Sequence, residues 1–379
     1  MSRDYIYLDH AAATPMDASV TKAMEPFFSE LFFNPSANNT RSKHVKRAID
    51  DSRSKTAYWL GAKPSEIIFT AGASEANNLA IHGLMKKYPG KKLLYSSIEH
   101  ESVIEPARQY PSEEIYVDSK GRLDIADLKS KIDAETVLVA VMYANNEIGT
   151  VQPLKEIAQV ISTERKRRGP GGLPVYLFSD AAQAGNYLDL HASRLGIDMM
   201  SLNGGKIYGP KQSGCLYLHS GVQLEPLIFG GGQERGLRSG TENVASIVGF
   251  AEALDQAQSR RKIHYANDLE LQKTFISRIN IHLPEVQING SLKYRLPNNL
   301  HLTFPGVDNE RLLILLDENS IIAAVGSACS ASNEESSHVL KAIGKTDAEA
   351  RSSVRFTLGR LNAASDIEKV VETLVRLTS

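Results

Sequence analysis

Short apolar runs bounded by turn signals recur along the middle of the chain, at "EIIFTAG", "KLLYSS", "EEIYVD", "TVLVAVMYA", "VYLFSD" and "DMMSL". Helix-like segments such as "PLKEIAQVISTERKR" fill several of the gaps. Runs apolar enough to be buried on both faces, alternating with helices, predict a mostly parallel sheet covered by helices. Two helical patterns, "DASVTKAMEPFFSEL" and "SKHVKRAIDDSRSKTAYWLG", precede the first clear strand. The tract "RKRRGPGGLP" near residue 170 combines a charge run with turn residues and reads as a surface loop.

After about residue 250 the pattern changes to a long polar helix followed by "NLHLTF", "RLLILLDEN", "AAVGSACS", "SSVRFTLG" and a closing helix. This predicts an N-terminal segment over 1–15, a large α/β domain over 16–250, and a smaller α+β domain over 251–379 that the N-terminal segment joins. A chain of 379 residues is long enough for both.

In open α/β sheets a ligand sits beyond the carboxyl ends of the strands, so the residues that follow each apolar run are the ones to inspect. After "IIFT" come Ala73 and Ser74, in a small-residue turn that opens a helix whose N–H groups would suit a phosphate. After "LLYSS" comes His100; after "VMYA", Asn146; after "YLF", Asp180 and Gln183. Lys206 follows "MMSLN" and belongs to the same rim, set between Gly205 and the helix-hostile run Tyr208-Gly209-Pro210. An amine, an upstream carboxylate at a strand end and a phosphate-ready helix start are the parts needed to hold pyridoxal phosphate. Small neighbours of Lys206 would leave room for its ring.

"FGGGQERGLRSGTEN" is glycine-rich and basic, as a phosphate loop would be, but a glycine cluster alone is a weak signal. Arg355 in "SSVRFTLGR" is either a surface charge on a strand or the fork that a substrate carboxylate would want. With two cysteines a disulfide framework or four-cysteine metal site is excluded, and no metal is expected. Cys215 alternates with apolar residues and reads as a small buried hydrophobe. Cys329, in the polar stretch "VGSACSASNEESS", reads as a reachable thiol on a mobile loop.

Forty-three basic and 44 acidic residues leave a net charge of −1, which gives no footprint for nucleic acid or an anionic membrane. The start "MSRDYIYLDH" lacks the apolar core of a signal peptide and no window is long enough to span a bilayer, so a cytoplasmic protein is expected.

With these residues in place, the sequence resembles the cysteine desulfurases of the pyridoxal-phosphate class V aminotransferase group, of the nitrogenase and iron-sulfur-cluster type. The likeness runs nearly the whole chain, through "YLDHAAATP", "FTAGASEANNLAIHG", "EHESV", "NNEIGTVQ", "DAAQAGNYLDL", "KIYGPK", "GGGQERGLRSGT", "GSACSAS" and "SSVRFTLGR" in order. It implies a fold-type I transferase with a mostly parallel seven-stranded sheet in the large domain. Lys206 would be the Schiff-base lysine, Asp180 the partner of the pyridinium nitrogen, Gln183 a partner of the phenolic oxygen, and His100 a residue stacked on the ring. Ser74, with the backbone of Ala73, would form part of the phosphate cradle. Thr241 would reach the phosphate in a neighbouring subunit, which implies a homodimer. Asn146 and Arg355 would hold the substrate carboxylate, and Cys329 would accept sulfur.

The implied reaction removes sulfur from L-cysteine. Lys206, once displaced by the substrate's amine, would move the Cα proton as general base. The Cys329 thiolate would attack the substrate sulfur, leaving alanine and a persulfide destined for a sulfur-acceptor protein, with iron-sulfur cluster assembly as the family context. Selenocysteine lyase is the nearest alternative, and a cofactor-free binding homologue is a further one. Where the family carries a serine and a histidine before the lysine, this chain has Asn203 and Gly205. Asn203 can still donate through its amide, whereas Gly205 gives up a phosphate contact.

Overall fold

The computed structural model describes residues 4–326 and 336–378. Its strands are β1 (Ile6–Tyr7), β2 (Ile67–Thr70), β3 (Lys92–Ser96), β4 (Ser112–Ile115), β5 (Thr136–Ala140), β6 (Tyr176–Asp180), β7 (Met199–Asn203), β8 (Gly214–Leu218), β9 (Gln287–Ile288), β10 (Asn299–Thr303), β11 (Ile321–Ile322) and β12 (Ser353–Thr357). Seven of them form one sheet in the order β2-β8-β7-β6-β5-β3-β4. β8 runs antiparallel to both neighbours and the other pairings are parallel, so the expected mostly parallel seven-stranded sheet is found.

Successive residues of the central strands point to opposite faces, and each face is covered by helices. Leu94, Leu177, Cys215 and Tyr217 join one core with Leu154, Ile157 and Ile161 of the helix Leu154–Arg168. Leu93, Tyr95, Phe178, Leu216 and Leu218 join the other with Leu79, Ala80 and Leu84 of the helix Ala73–Lys87. Burial on both faces is why these strands read as continuous apolar runs.

A separate core lies on the antiparallel sheet β12-β10-β9. The closing helix Ala364–Thr378 packs on it through Ile367, Val370, Val371 and Leu374, a stripe at helical spacing. β1 pairs in parallel with β11, and Asp9 bridges Thr357 at the end of β12, so the N-terminal segment is stitched to this second unit.

Two local expectations change. "DASVTKAMEPFFSEL" divides into helices Ala18–Met24 and Pro26–Ser29, because Pro26 has no N–H to continue the ladder. The tract near residue 170 is loop only in its second part: Arg165 to Arg168 form the last turn of the helix Leu154–Arg168, where cations complement the carbonyl end of the helix. The loop begins at Gly169, whose φ of 72° suits glycine. Among the described residues no helix is long and apolar enough to cross a membrane, and no cluster of potential metal ligands occurs.

Candidate active site

A cavity of about 340 Å3 opens at the ends of β2 and β7, lined by Ala12, Ala13, the turn Ala71–Glu75, Asn203, Gly205, Lys206, Lys211 and Gln212. The turn is shaped by glycine: Gly72 sits at φ 140°, closed to other residues, and caps the helix Ala73–Lys87 without any side-chain acceptor. A Cβ on Gly214 would lie 2.8 Å from the Gly72 Cα, so the two backbones meet directly. Free N–H groups in the first turn of a 15-residue helix, beside Ser74, Lys206 and Lys211, make this wall a ready anion site. Glu75 also lines it, yet its carboxylate is engaged by Arg238 at 2.8 Å and by the Ala71 N–H at 2.9 Å.

Asp180 ends β6 and is buried. Its Oδ1 accepts from the Ala182 N–H at 2.9 Å and its Oδ2 from Asn77 Nδ2 at 2.8 Å. The same amide nitrogen donates to Ser102 Oγ, also at 2.8 Å. Ser102 in turn closes on His100: its N–H donates to His100 Nδ1 at 3.1 Å, so in the neutral ring the proton resides on Nε2. One chain of contacts thus runs from Asp180 to His100. Glu99, fully buried, accepts from the Met142 N–H at 2.6 Å; burial and the nearby negative charge of Asp180 push its pKa well up.

The N-terminal segment crosses this site. Lys206 Nζ donates to the Ala12 carbonyl, Gln183 Nε2 to the Ala11 carbonyl at 3.0 Å, and Lys211 Nζ to the Thr14 carbonyl. Thr14 donates to the Gly205 carbonyl and accepts from the Tyr208 N–H at 2.8 Å, supporting Tyr208 in a left-handed conformation at φ 63°. Asn186 donates to the Lys206 carbonyl at 2.8 Å. The backbone around Lys206 is therefore held from both sides.

Arg355 is among the most deeply buried large side chains of the chain. It donates through Nη2 to Asp9 Oδ1 at 2.7 Å and through Nη1 to the Asn146 carbonyl at 3.1 Å. A surface charge is thus excluded. The described residues flanking 327–335 are anchored close by: the Arg355 N–H donates to the Ala324 carbonyl at 2.7 Å, and Ser337 Oγ to Glu147 at 2.5 Å.

Of the residues singled out in the sequence, Ala73, Ser74, Asn203 and Lys206 line the cavity. Asp180 and His100 are linked to each other, Gln183 is tied to the segment that lines it, and Asn146 and Arg355 touch. Asn203 Oδ1 accepts from the Gly205 N–H at 2.9 Å, which leaves its amide nitrogen to donate. Thr241 is exposed and does not line the cavity. Cys329 lies outside the described residues. Cys215 is fully buried, and burial pushes its thiol far up from its ordinary range, in keeping with a structural role. Sequence reasoning quoted "YLDHAAATP" but assigned it no task, and missed Asn77, Ser102 and Lys211. Asn77 stands one helical turn after Ser74, a spacing that would have placed both on one face.

The class-V aminotransferase family matches residues 6–370. The cysteine desulfurase IscS of Dictyoglomus turgidum is 37% identical, the match covering 98% of this chain and 94% of that protein. Among solved structures, a NifS-like protein superposes with a TM-score of 0.91 at 29% identity, covering 98% of this chain and 99% of that one. A structure described as SspA in complex with cysteine superposes at 0.81 with 34% identity, covering 94% and 100%. The chain belongs to the class-V aminotransferase family and groups there with the cysteine desulfurases.

Proposed function

We propose that this protein is a pyridoxal 5'-phosphate-dependent cysteine desulfurase that releases L-alanine from L-cysteine and carries the sulfur as a persulfide on Cys329. The observation that carries the reading is the meeting of the Lys206 amine and an uncapped helix start in one cavity, with a buried Asp180 tied through Asn77 to that same helix and through Ser102 to His100.

The family depends on pyridoxal phosphate, and the residues present fit that group. Ser74 and the N–H groups of the first turn of helix Ala73–Lys87 would take its phosphate and Lys206 its aldehyde; by the family resemblance, Asp180 would meet its ring nitrogen, Gln183 its phenolic oxygen and His100 its ring face. When bound, the cofactor supplies a carbonyl for the substrate's amine and a ring that draws off the electrons released at Cα. Asp180, fixed at both oxygens, would hold a proton at the ring nitrogen. Lys206 moves the proton at the substrate's Cα, and the small residues around it leave that atom within reach. Arg355 and Asn146 orient the substrate carboxylate. The Cys329 thiolate attacks the substrate sulfur: an S–S bond forms, the Cβ–S bond breaks with its electron pair leaving on the carbon side, and protonation there completes alanine. Anchorage of both flanks of 327–335 at Arg355 and Glu147 supports delivery of that thiol to this pocket.

The same reading extends to assembly and context. Thr241 serves the cofactor phosphate of a second copy in a homodimer, which is supported by its exposure and by the exposed apolar Phe229 nearby in the chain. The chain divides into the N-terminal segment 1–15, a cofactor-binding unit 16–250 and a smaller unit 251–379. The sulfur passes to an acceptor protein in the cytoplasm, in iron-sulfur cluster assembly, with no nucleic acid or membrane partner.

The test is alanine and sulfide release from L-cysteine in the presence of a dithiol, by the parent and by Lys206→Ala. The parent is expected to be yellow, to lose that absorbance on borohydride and to release alanine; the variant is expected to do none of these while keeping its fold. Alanine release by Lys206→Ala at the parent rate would overturn the assignment. A much faster release of alanine from selenocysteine would identify a selenocysteine lyase.

A further inference from the structure

We propose that Asp9 is a specificity-determining residue: its carboxylate is a built-in competitor at Arg355 that sets how tightly a substrate carboxylate is held. This rests on reading Arg355 as the substrate's carboxylate fork.

The Arg355 side chain is 2% exposed and that of Asp9 is 15% exposed, so the pair sits where water screens little. A guanidinium this deeply buried needs a counter-charge. Asp9 is its ion-pair partner among the described residues, at 2.7 Å. His301, opposite Arg355 in the β10–β12 register, adds no second cation, since burial and the neighbouring arginines push its pKa down to about 3.

The backbone that carries Asp9 is fixed. Its carbonyl accepts from the N–H groups of Ala12 and Ala13 at 3.1 and 3.3 Å and from the Tyr7 hydroxyl at 3.0 Å, and its backbone bridges Thr357. Arg355, meanwhile, keeps capacity: its Nε is buried and has no acceptor among the described residues. A guanidinium has five N–H donors in a fixed fork, so an incoming carboxylate shares Arg355 with Asp9 rather than replacing it. Two carboxylates on one cation repel each other, and the attraction Arg355 offers the substrate is offset by the charge already present. Asp9→Asn keeps an oxygen acceptor for Nη2 while deleting that charge, so it should tighten carboxylate binding.

The test uses holoenzyme and two competitive inhibitors: 3-mercaptopropionate, with a thiol and a carboxylate but no amine, and cysteamine, with a thiol and an amine but no carboxylate. In Asp9→Asn the inhibition constant of 3-mercaptopropionate should fall about tenfold, while that of cysteamine stays within about twofold. Asp9→Ser, smaller and also neutral, should shift it in the same direction, and Asp9→Glu should not. Unchanged or weakened 3-mercaptopropionate binding in the neutral variants overturns the proposal and leaves Arg355 in place, provided that Arg355→Gln weakens that inhibitor. If Arg355→Gln leaves its inhibition unchanged, the fork itself has been misassigned and the role of Asp9 falls with it.

Discussion

Asn77 and Asp180 are joined side chain to side chain, Nδ2 to Oδ2 at 2.8 Å, with Asn77 fully buried. The contact fixes the carboxylate that the cofactor's ring nitrogen would meet. A hydrogen bond to a charged group contributes about 1.5–3 kcal/mol, so Asn77→Leu should weaken pyridoxal phosphate binding about ten- to a hundredfold. Asn77→Asp, which sets a second carboxylate against Asp180, should be worse. Fluorescence titration of apoenzyme measures both, with a thermal melt to check folding; parent-like affinity in Asn77→Leu would mean that Asp180 needs no such support.

The two cysteines should separate cleanly. Cys215 is fully buried on β8, and burial pushes its thiol up, away from thiolate formation. Cys215→Ser should retain sulfur transfer while losing about 1–3 kcal/mol of stability from burying a hydroxyl. Cys329→Ser should still take up cysteine, seen as a change in cofactor absorbance, and transfer no sulfur. Loss of transfer in the first variant and retention in the second would reverse the assignment.

Gly205 stands where the resemblance implies a phosphate-facing histidine, and the structure leaves room for a side chain. An added Cβ would meet Asn203 Oδ1 at 3.3 Å, which needs a shift of a few tenths of an ångström, and Lys211 Cγ at 3.7 Å, an ordinary contact. Gly205→His is therefore expected to tighten pyridoxal phosphate, by about tenfold for one recovered charge-assisted hydrogen bond. Equal or weaker binding in a well-folded variant would show that Asn203 and Lys211 already complete the cradle.

Asp268 gives a pH signature. Burial, opposed by the Tyr187 hydroxyl at 2.7 Å and by Arg360, raises its pKa from 3.8 to about 6. The folded protein then binds more protons than the unfolded chain between those values, so the stability this group contributes is present at low pH and is lost as pH rises to about 6. His264 and His301, driven down by burial to about 4 and about 3, act with the opposite sign. Asp268→Asn keeps an acceptor for Tyr187 and removes the titration. Relative to the parent it should gain on the order of 2–3 kcal/mol between pH 4 and pH 7. Melting temperatures across that range provide the check; a gap that does not widen with pH refutes it.

The features legible in the sequence were those written in local pattern. β2, β3, β5, β6 and β7 show as apolar runs because strands buried on both faces must be apolar throughout, whereas the edge strand β4, "SEEI", is only partly buried. Gly72, His100, Asp180 and Lys206 stand out because they lie at or just beyond strand ends. The helix-like run "PLKEIAQVISTERKR" overlaps the tract read as a surface loop, and the structure places the boundary at Gly169, because a charge run looks alike on a helix end and in solvent.

What only tertiary structure decided were the partnerships. Asp9 and Arg355 are 346 positions apart, Lys206 and Ala12 194 apart, and no periodicity links them. The N-terminal segment does much of its work at this site through the carbonyls of Ala11, Ala12 and Thr14. Every residue has a carbonyl, so such acceptors leave no mark on residue identity, and only the folded backbone shows where they point.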